Sequence, residues 1–116
     1  IVEREAKRDE DREKIAGVYQ NRLNIGMRLE ADPTIQYAKG NWDVLNVSNL
    51  KIDSPYNTYI YEGLPPTPIC NPGIKSIKAA LNPAEHDYYF FFNLADSTTI
   101  YSKTREEHEE NIMKCK

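Results

Sequence analysis

The stretch DYYFFFNLADSTTIYSKTREEHEE, residues 87–110, decides the fold class, because two strand patterns and a helix start follow one another within it. Tyr88–Leu94 is dense in aromatic residues and predicts a strand that is buried on both faces. A short turn follows, and Thr99–Ser102 predicts the partner strand. Thr104 and Glu107 have the spacing of a capping box, which predicts the start of a final helix. The stretch therefore predicts a small antiparallel hairpin followed by a C-terminal helix.

A short helix is predicted upstream of the hairpin, over residues 73–81. The Asn-Pro pairs at residues 71–72 and 82–83 are typical of a helix start and a helix stop, respectively. Helical spacing then predicts which side chains face inward. These are Ile74, Ile77 and Ala80 or Leu81.

Two other stretches predict ordered loops. GLPPTPICNPG, residues 63–73, contains four prolines, so it cannot form a regular helix or a central strand and predicts a stiff loop. Residues 39–57 are polar and rich in turn-forming residues. In this second stretch we expect scattered apolar anchors, namely Trp42, Val44, Leu45, Val47 and Leu50.

The N-terminal run IVEREAKRDEDREKIAGVYQNRL, residues 1–23, has a helical pattern. A step of about 100° per residue places Ile1, Ala16, Tyr19 and Leu23 on one apolar stripe. Glu5 falls near the middle of that stripe, whereas Glu3 falls on the opposite side with the solvated charges. Burial disfavours an ionised carboxylate, so we expect a raised pKa for Glu5, which suits a general acid.

The N-terminal helix need not be continuous. Asp9 and Asp11 are good N-cap residues, so a break near residues 8–11 would start a second helix that runs to about Leu23. A structural interpretation of Glu5 also stands, in which it pairs with Arg8, with Arg12 or with a backbone amide. From the residues alone this interpretation is the more common one for a buried acid.

Asp32 and Pro33 are typical of a helix N-cap and a first helical residue, and predict a short helix through Tyr37. Helices, a small hairpin and a proline-rich loop together predict an α+β fold. We expect one catalytic domain over residues 1–116, since this length suffices for one modest core.

Composition excludes several classes of function. Apolar residues make up 40% of the 116 residues and charged residues 28%, as in ordinary globular proteins. The net charge of −3 disfavours a nucleic-acid surface, which needs clustered Lys and Arg. Cys70 and Cys115 match no zinc motif and are expected to be unpaired, and His86 and His108 have no partner at ligand spacing. No metal or cofactor is therefore expected.

Several strings of this chain occur, in the same order, in one family. They are IVEREA, NRLNIGMRLEADPT, SPYNTY, GLPP, ICNPG and SIKAALNP. In these the chain resembles the YceG-like endolytic murein transglycosylases, also called MltG, over nearly its whole length. The resemblance implies an enzyme that cuts the glycan strands of peptidoglycan internally. It also implies a membrane anchor and a LysM-like module upstream, a catalytic domain on the outer side of the cell membrane, and cell-wall synthesis proteins as partners.

The resemblance also implies site residues. The second Glu of the family's I-[IV]-E-[KR]-E motif is the catalytic acid and falls on Glu5. Asp32 and Thr34 match the family's D-P-T, and the family's Y-N-T-Y matches the last substrate-binding candidates, Tyr56, Asn57, Thr58 and Tyr59. Glu30, Ala38 and Thr67 depart from the residues that many members carry.

A lytic transglycosylase needs a single carboxyl group as acid and then base, and its product ends in a 1,6-anhydro sugar. Two alternatives remain open at this point. One is a muramidase-like hydrolase in which Asp32 is the second carboxylate. The other is a silent glycan-binding or scaffold domain of a cell-wall synthesis complex. Whatever the function, each of these residues also has a structural interpretation: Asp32 as a helix N-cap, Tyr56 and Tyr59 as core aromatics, and Asn57 as a turn residue.

Overall fold

A computed structural model describes residues 1–114, and its secondary structure confirms the predicted α+β class. Within these residues there are five α-helices and one antiparallel sheet of two strands. The helices are α1 (Val2–Glu5), α2 (Arg12–Asn24), α3 (Asp32–Lys39), α4 (Ile74–Leu81) and α5 (Arg105–Lys114); the strands are β1 (Phe90–Asn93) and β2 (Thr99–Ser102). Cys115 lies outside the described residues, and Cys70 is a free, half-buried thiol.

The chain divides into two compact units. One contains Val2–Asn21 and the chain from Pro72 onward, and it holds the sheet. The other contains Arg22–Asn71 with residue 1. We call them the sheet unit and the loop unit. Each provides its own set of buried apolar side chains. In the sheet unit these are Ile15, Ala16, Val18, Tyr19, Ala79 and Phe90; in the loop unit they are Leu29, Ala31, Ile35 and Ile69.

The hairpin and the final helix of the sheet unit form as predicted. Phe90 pairs with Ser102 at one end of the ladder, and the ring of His108 on α5 stacks on the Phe90 ring with centroids 5.3 Å apart. The backbone N–H of Glu107 donates to Thr104 Oγ1 over 3.1 Å, as expected for a helix cap. The predicted burial of β1 on both faces is wrong. Only Phe90 of this strand is buried, because a two-stranded sheet has little to cover its second face.

The N-terminal helical run is broken, as the aspartates indicated. α1 is a single turn, Arg8 is extended, and a 3-10 turn over Asp9–Asp11 leads into α2. α2 then contacts the segment that precedes β1. A Cβ on Gly17 would collide with the carbonyl oxygen of Ala84 and with the ring of His86, so this close approach requires glycine.

α4 differs most from its prediction. Its N-cap is Gly73, which has no side chain of its own to cap the helix, and its buried residues are Ser76 and Ala79. The expected inward residues Ile74 and Leu81 are 63% and 74% exposed, and Ile77 and Ala80 are also exposed. The helix lies against α1 on its small-residue side. The rotation of α4 about its own axis is therefore set by polar contacts to Ser76 and to the Gly73 N–H. It does not follow the periodicity of its apolar residues.

The loop unit holds α3 and two irregular stretches. Ala31 is the N-cap of α3 and Asp32 already belongs to its first turn, so the predicted capping role of Asp32 is wrong. Residues 39–57 contain a 3-10 helix, Val47–Lys51, whose start is closed by a reciprocal capping box between Asn46 and Asn49. Because side-chain amides hold this stretch, most of its apolar residues are not anchors. Trp42, Val44 and Val47 are exposed, and Leu45 and Leu50 are half-buried.

Candidate functional site

Glu5 is the last residue of α1 and its side chain is half-buried. Its Oε1 accepts a hydrogen bond from the phenol of Tyr19 on α2 at 3.1 Å. Tyr19 is only 7% exposed, and the Phe91 ring packs edge-on against it with centroids 5.9 Å apart. The carboxyl group therefore rests against a fixed, buried aromatic residue, in the half-sheltered position that a general acid requires.

Tyr19 is a site residue that the sequence interpretation missed. The stripe that placed Glu5 and Tyr19 together assumed one continuous helix, and the break at residues 8–11 resets the angles after it, so the stripe does not account for this contact. Tyr19 was assigned to the apolar core because its ring suits that position. Its hydroxyl gives the ring a polar end, and a buried phenol normally has a hydrogen-bond partner.

Glu3 does not lie on a solvated face, which corrects its predicted environment. Its Oε1 accepts from the backbone N–H of Gly73 at 2.5 Å, and its Oε2 lies 3.1 Å from Nη1 of Arg12. The Gly73 N–H, and then the Arg12 guanidinium, hold the pKa of Glu3 below its ordinary value of 4.5. Glu3 thus caps the start of α4 from another element, as an ionised acid does well at a helix N-terminus.

Arg12 was one expected partner of Glu5 under the structural interpretation. The guanidinium instead contacts Glu3, Ser76 Oγ at 2.8 Å and Asp9 Oδ1 at 3.1 Å. Glu5 Oε1 instead accepts from the neutral phenol of Tyr19. This hydrogen bond holds the carboxyl oxygen in a defined orientation.

Asp11 is the buried acid of the sheet unit, and it was not singled out by its sequence. Tyr101 donates to its Oδ1 at 2.8 Å and Thr99 donates to its Oδ2 at 3.2 Å. Burial and the neighbouring Asp11 carboxylate raise the pKa of Tyr101. The two carboxylate oxygens of Asp11 thus connect the 3-10 turn before α2 to strand β2. This pattern fits a structural role.

Asn21 on α2 ties down the segment that precedes β1. Its Nδ2 donates to the carbonyl oxygens of His86 at 2.8 Å and Tyr88 at 3.0 Å. In the loop unit, Arg22 donates through Nη1 to the carbonyl of Leu29. The contacts of Asn21 and Arg22 therefore hold the backbone at His86, Tyr88 and Leu29 in place.

Three predicted substrate-binding residues of the loop unit are buried. The hydroxyl groups of Thr34 and Thr58 lie 2.9 Å apart, and the Thr58 Oγ1 accepts from the N–H of Ala31 at 2.9 Å. Asn57 is 0% exposed; its amide donates to the carbonyls of Leu50 at 3.1 Å and Ile52 at 2.7 Å. These buried hydrogen bonds, most of them to backbone groups, hold the local structure of the loop unit.

The remaining three candidates, Asp32, Tyr56 and Tyr59, are exposed or half-buried. Tyr59 donates its phenol proton to Asp32 Oδ1 at 2.6 Å, and its own N–H is held by Asn57 Oδ1 at 2.9 Å. Buried Asn57 therefore orients a residue pair that carries an accessible carboxylate. Such pairs are suited to the hydroxyl and amide groups of a sugar.

Tyr56 lies beside a ring that the sequence interpretation did not select. Its ring centroid is 4.8 Å from that of Tyr37 on α3, and its phenol oxygen is 2.7 Å from Thr67 Oγ1. Thr67 belongs to the proline-rich loop and is one of the departures from the family pattern. This hydrogen bond ties the loop to a candidate aromatic residue.

The predicted site residues thus fall into two groups. Asp32, Thr34 and residues 56–59 lie together in the loop unit, whereas Glu5 lies in the sheet unit with Tyr19. Among residues 1–114, no set of three or more His, Cys, Asp or Glu side chains is arranged to hold a metal ion. Nor does any helix in that range have the length and apolar character needed to cross a bilayer.

Comparisons of this chain with known proteins agree on one family. The profile of the YceG-like family matches residues 1–114. The "Endolytic murein transglycosylase" of Bacillus subtilis is 44% identical over 111 residues, which cover 95% of this chain and 31% of that protein. The protein of the same name from Streptococcus pneumoniae is 36% identical over 97% of this chain and 22% of its own length.

A solved structure agrees in fold. The crystal structure of a yceG-like protein from Listeria monocytogenes superposes with a TM-score of 0.91 at 45% identity, over 95% of this chain and 36% of that one. The chain therefore spans about a third or less of the length of these relatives.

Proposed function

Because this chain belongs to the YceG-like family, we propose that it is the catalytic part of an endolytic murein transglycosylase. The observation that carries the proposal is the 44% identity, over 95% of the chain, to a protein of that name. The contact between Glu5 and buried Tyr19 supports it, since it gives the family's acid position a sheltered carboxyl group. The substrate is then a peptidoglycan glycan strand, cut at an internal bond between N-acetylmuramic acid and N-acetylglucosamine.

The chemistry needs one carboxyl group. Protonated Glu5 donates its proton to the glycosidic oxygen as the bond from that oxygen to C1 of the muramic residue breaks. The carboxylate so formed accepts the proton of the C6 hydroxyl on the same sugar, and the C6 oxygen bonds to C1. A 1,6-anhydro ring closes, Glu5 regains its proton, and no water is consumed.

The nucleophile is part of the substrate, so its effective concentration is high and no second carboxylate is required. Positive charge that develops at C1 is shared with the sugar's own 2-acetamido group. Proton transfer by Glu5 contributes roughly 10²–10⁴-fold of the rate. The Tyr19 hydrogen bond holds the carboxyl so that both transfers start from one geometry.

Six residues of the loop unit are proposed to serve the glycan in two ways. Asp32, Tyr56 and Tyr59 contact sugar hydroxyl and N-acetyl groups directly, because they are accessible and carry polar ends on rigid supports. The buried Thr34, Asn57 and Thr58 hold those supports in place.

The family also suggests where the enzyme works. We expect residues 1–116 to form one catalytic domain that follows a membrane anchor and a LysM-like module in the full-length protein. The domain then lies on the outer side of the cell membrane, beside the proteins of cell-wall synthesis. If so, the full-length protein sediments with membranes, and protease added to intact protoplasts digests it. Full protection from that protease would contradict this placement.

Asp32 favours one other candidate, a muramidase-like hydrolase, because its carboxylate is exposed and hydrogen-bonded by Tyr59. Product analysis separates the two reactions. Mass spectrometry of muropeptides released by the full-length enzyme shows anhydro ends for a transglycosylase. Ends heavier by one water, which are reducing sugars, indicate a hydrolase and would refute the proposed reaction.

A further inference from the structure

Glu3, two residues before the proposed acid, takes part in a charged network that joins three helix starts. Its Oε1 accepts from the Gly73 N–H at 2.5 Å, where α4 begins, and its Oε2 is 3.1 Å from Nη1 of Arg12, where α2 begins. Glu3 itself is in the first turn of α1. Its side chain is 27% exposed and that of Arg12 is 18% exposed, so the pair is largely sheltered.

Arg12 extends the network on its other side. The same Nη1 donates to Ser76 Oγ of α4 at 2.8 Å, and Nη2 lies 3.1 Å from Asp9 Oδ1. Asp9 in turn pairs with Lys75 of α4 through Oδ2 at 2.6 Å. The planar, multidentate geometry of guanidinium lets one side chain hold Glu3, Ser76 and Asp9 together, which lysine cannot do.

α1 needs such support because it is one turn long. A single turn fixes several backbone angles for one or two hydrogen bonds and is not stable by itself. The backbone hydrogen bond from the Ala6 N–H to the Val2 carbonyl, at 3.0 Å, closes this turn. At one end the Glu3 network holds it, and at the other the Tyr19 phenol holds Glu5.

We infer that Glu3 and Arg12 are positioning residues for the reaction, which act by fixing the α1 turn that presents Glu5. This inference rests on the proposed function, because it assigns to Glu5 the proton transfers. A catalytic group displaced by about 1 Å loses a large part of its rate, even when the altered contact is remote from the reacting atoms. Glu3 does not itself donate the proton. Its carboxylate is occupied by Gly73 and Arg12, and those contacts favour its ionised form.

The test measures kcat and KM of the full-length enzyme on soluble glycan strands. Glu3→Gln keeps an oxygen that can accept from the Gly73 N–H but loses the ion pair with Arg12. Arg12→Lys keeps the positive charge but loses the planar, multidentate geometry of the guanidinium. Each variant is expected to lower kcat by at least about tenfold with KM within about twofold. Glu10→Gln is the matched control. Glu10 is 73% exposed and lies 3.6 Å from Arg8, outside the network, so kcat should not change.

A double variant separates positioning from a general loss of stability. If Glu3 acts through Glu5, Glu3→Gln combined with Tyr19→Phe costs less than the product of the two single losses, because both disturb one carboxyl group. All rates are taken per mole of folded enzyme, well below the unfolding temperature. Independent, multiplicative losses would overturn the inference, as would a lowered unfolding temperature with unchanged kcat in both single variants.

Failure of the proposed function has a different signature. If Glu5→Gln retains wild-type cleavage, the acid assignment fails whatever the Glu3 variants do. If Glu5→Gln is inactive but Glu3→Gln and Arg12→Lys keep wild-type kcat, the acid stands and the positioning inference alone is overturned.

Discussion

The phenol of Tyr19 donates a hydrogen bond to Oε1 of Glu5 over 3.1 Å and so joins the end of a one-turn helix to the buried side of the next helix. The phenol is neutral and its ring is fixed by Phe91. This relationship gives the proposed acid a defined orientation.

Tyr19→Phe keeps the buried ring and removes only the donor. A hydrogen bond to a charged group is worth about 1.5–3 kcal/mol, so we expect kcat to fall roughly tenfold or more. Tyr61→Phe, at an exposed tyrosine, is the control. A wild-type rate in Tyr19→Phe would show that the contact has no part in the reaction.

Asp32→Asn tests the two-carboxylate alternative. The amide oxygen can still accept from Tyr59, so for a transglycosylase we expect KM to rise, kcat to fall by less than about tenfold, and anhydro ends to persist. If Asp32 were the second carboxylate of a hydrolase, its loss would cost far more, since no other group would activate water. Steady-state kinetics on the full-length protein, with product analysis, decide between them.

The carboxyl group of Glu3 makes the folding stability of the chain depend on pH. Its pKa in the folded chain is lowered from 4.5, first by the Gly73 N–H and then by Arg12, so its ionised form stabilises the fold. That stability is complete above pH 4.5 and is lost as the pH falls through the lower, folded-state pKa.

The measurement is the urea midpoint of the 116-residue chain and of its Glu3→Gln variant at a series of pH values. The wild type should be the more stable above pH 4.5, and the difference should narrow steadily at lower pH. A difference that stays constant to the acid end of the series would mean that the Glu3 carboxylate contributes nothing through its charge.

Asn57→Ala should destabilise the loop unit. The change leaves the carbonyls of Leu50 and Ile52 and the N–H of Tyr59 without their partner in a fully buried site. We expect a loss of about 3 kcal/mol in the free energy of unfolding. Urea unfolding monitored by the fluorescence of Trp42 measures it. Asn71→Ala, at an exposed asparagine, should stay within about 0.5 kcal/mol of the wild type. A similarly small effect at Asn57 would refute the buried role.

Gly17→Ala tests the close approach of α2 to the segment before β1. The new Cβ would meet the carbonyl oxygen of Ala84, which is backbone, so the helix or the segment must shift. We expect a loss of about 1–3 kcal/mol in the free energy of unfolding, although alanine is the better helix former. Chemical unfolding compares it with Glu13→Ala, an exposed position on the same helix. Greater stability in Gly17→Ala would contradict the described packing.

The sequence predicted those parts of the fold that depend on local patterns. The strand Thr99–Ser102 followed from the turn before it and the helix start at Thr104 from capping chemistry, and both were confirmed. The break before α2 followed from the aspartates around residue 9. These signals work because each involves neighbours in sequence.

Contacts between distant residues account for the errors. Periodicity placed Ile74 and Ile77 inside, but α4 is rotated by its polar contacts to Glu3 and Arg12, which lie more than sixty residues away. Glu3 was placed on a solvated face for the same reason, since nothing near it in sequence indicates a bond to Gly73. For Glu5, the contact with Tyr19 joins two separate helices, so no helical pattern within residues 1–23 could indicate it.

The most direct test of the central claim is the set of muropeptides that the full-length protein and its Glu5→Gln variant release from purified peptidoglycan, identified by mass spectrometry. Glutamine keeps the size of the side chain and the acceptor for Tyr19 but cannot carry the proton. We predict internal cleavage with anhydro ends for the wild type and a loss of roughly 10²–10⁴-fold for Glu5→Gln. Unchanged cleavage by Glu5→Gln would contradict the account, and a wild type that cuts nothing would point to a silent glycan-binding domain.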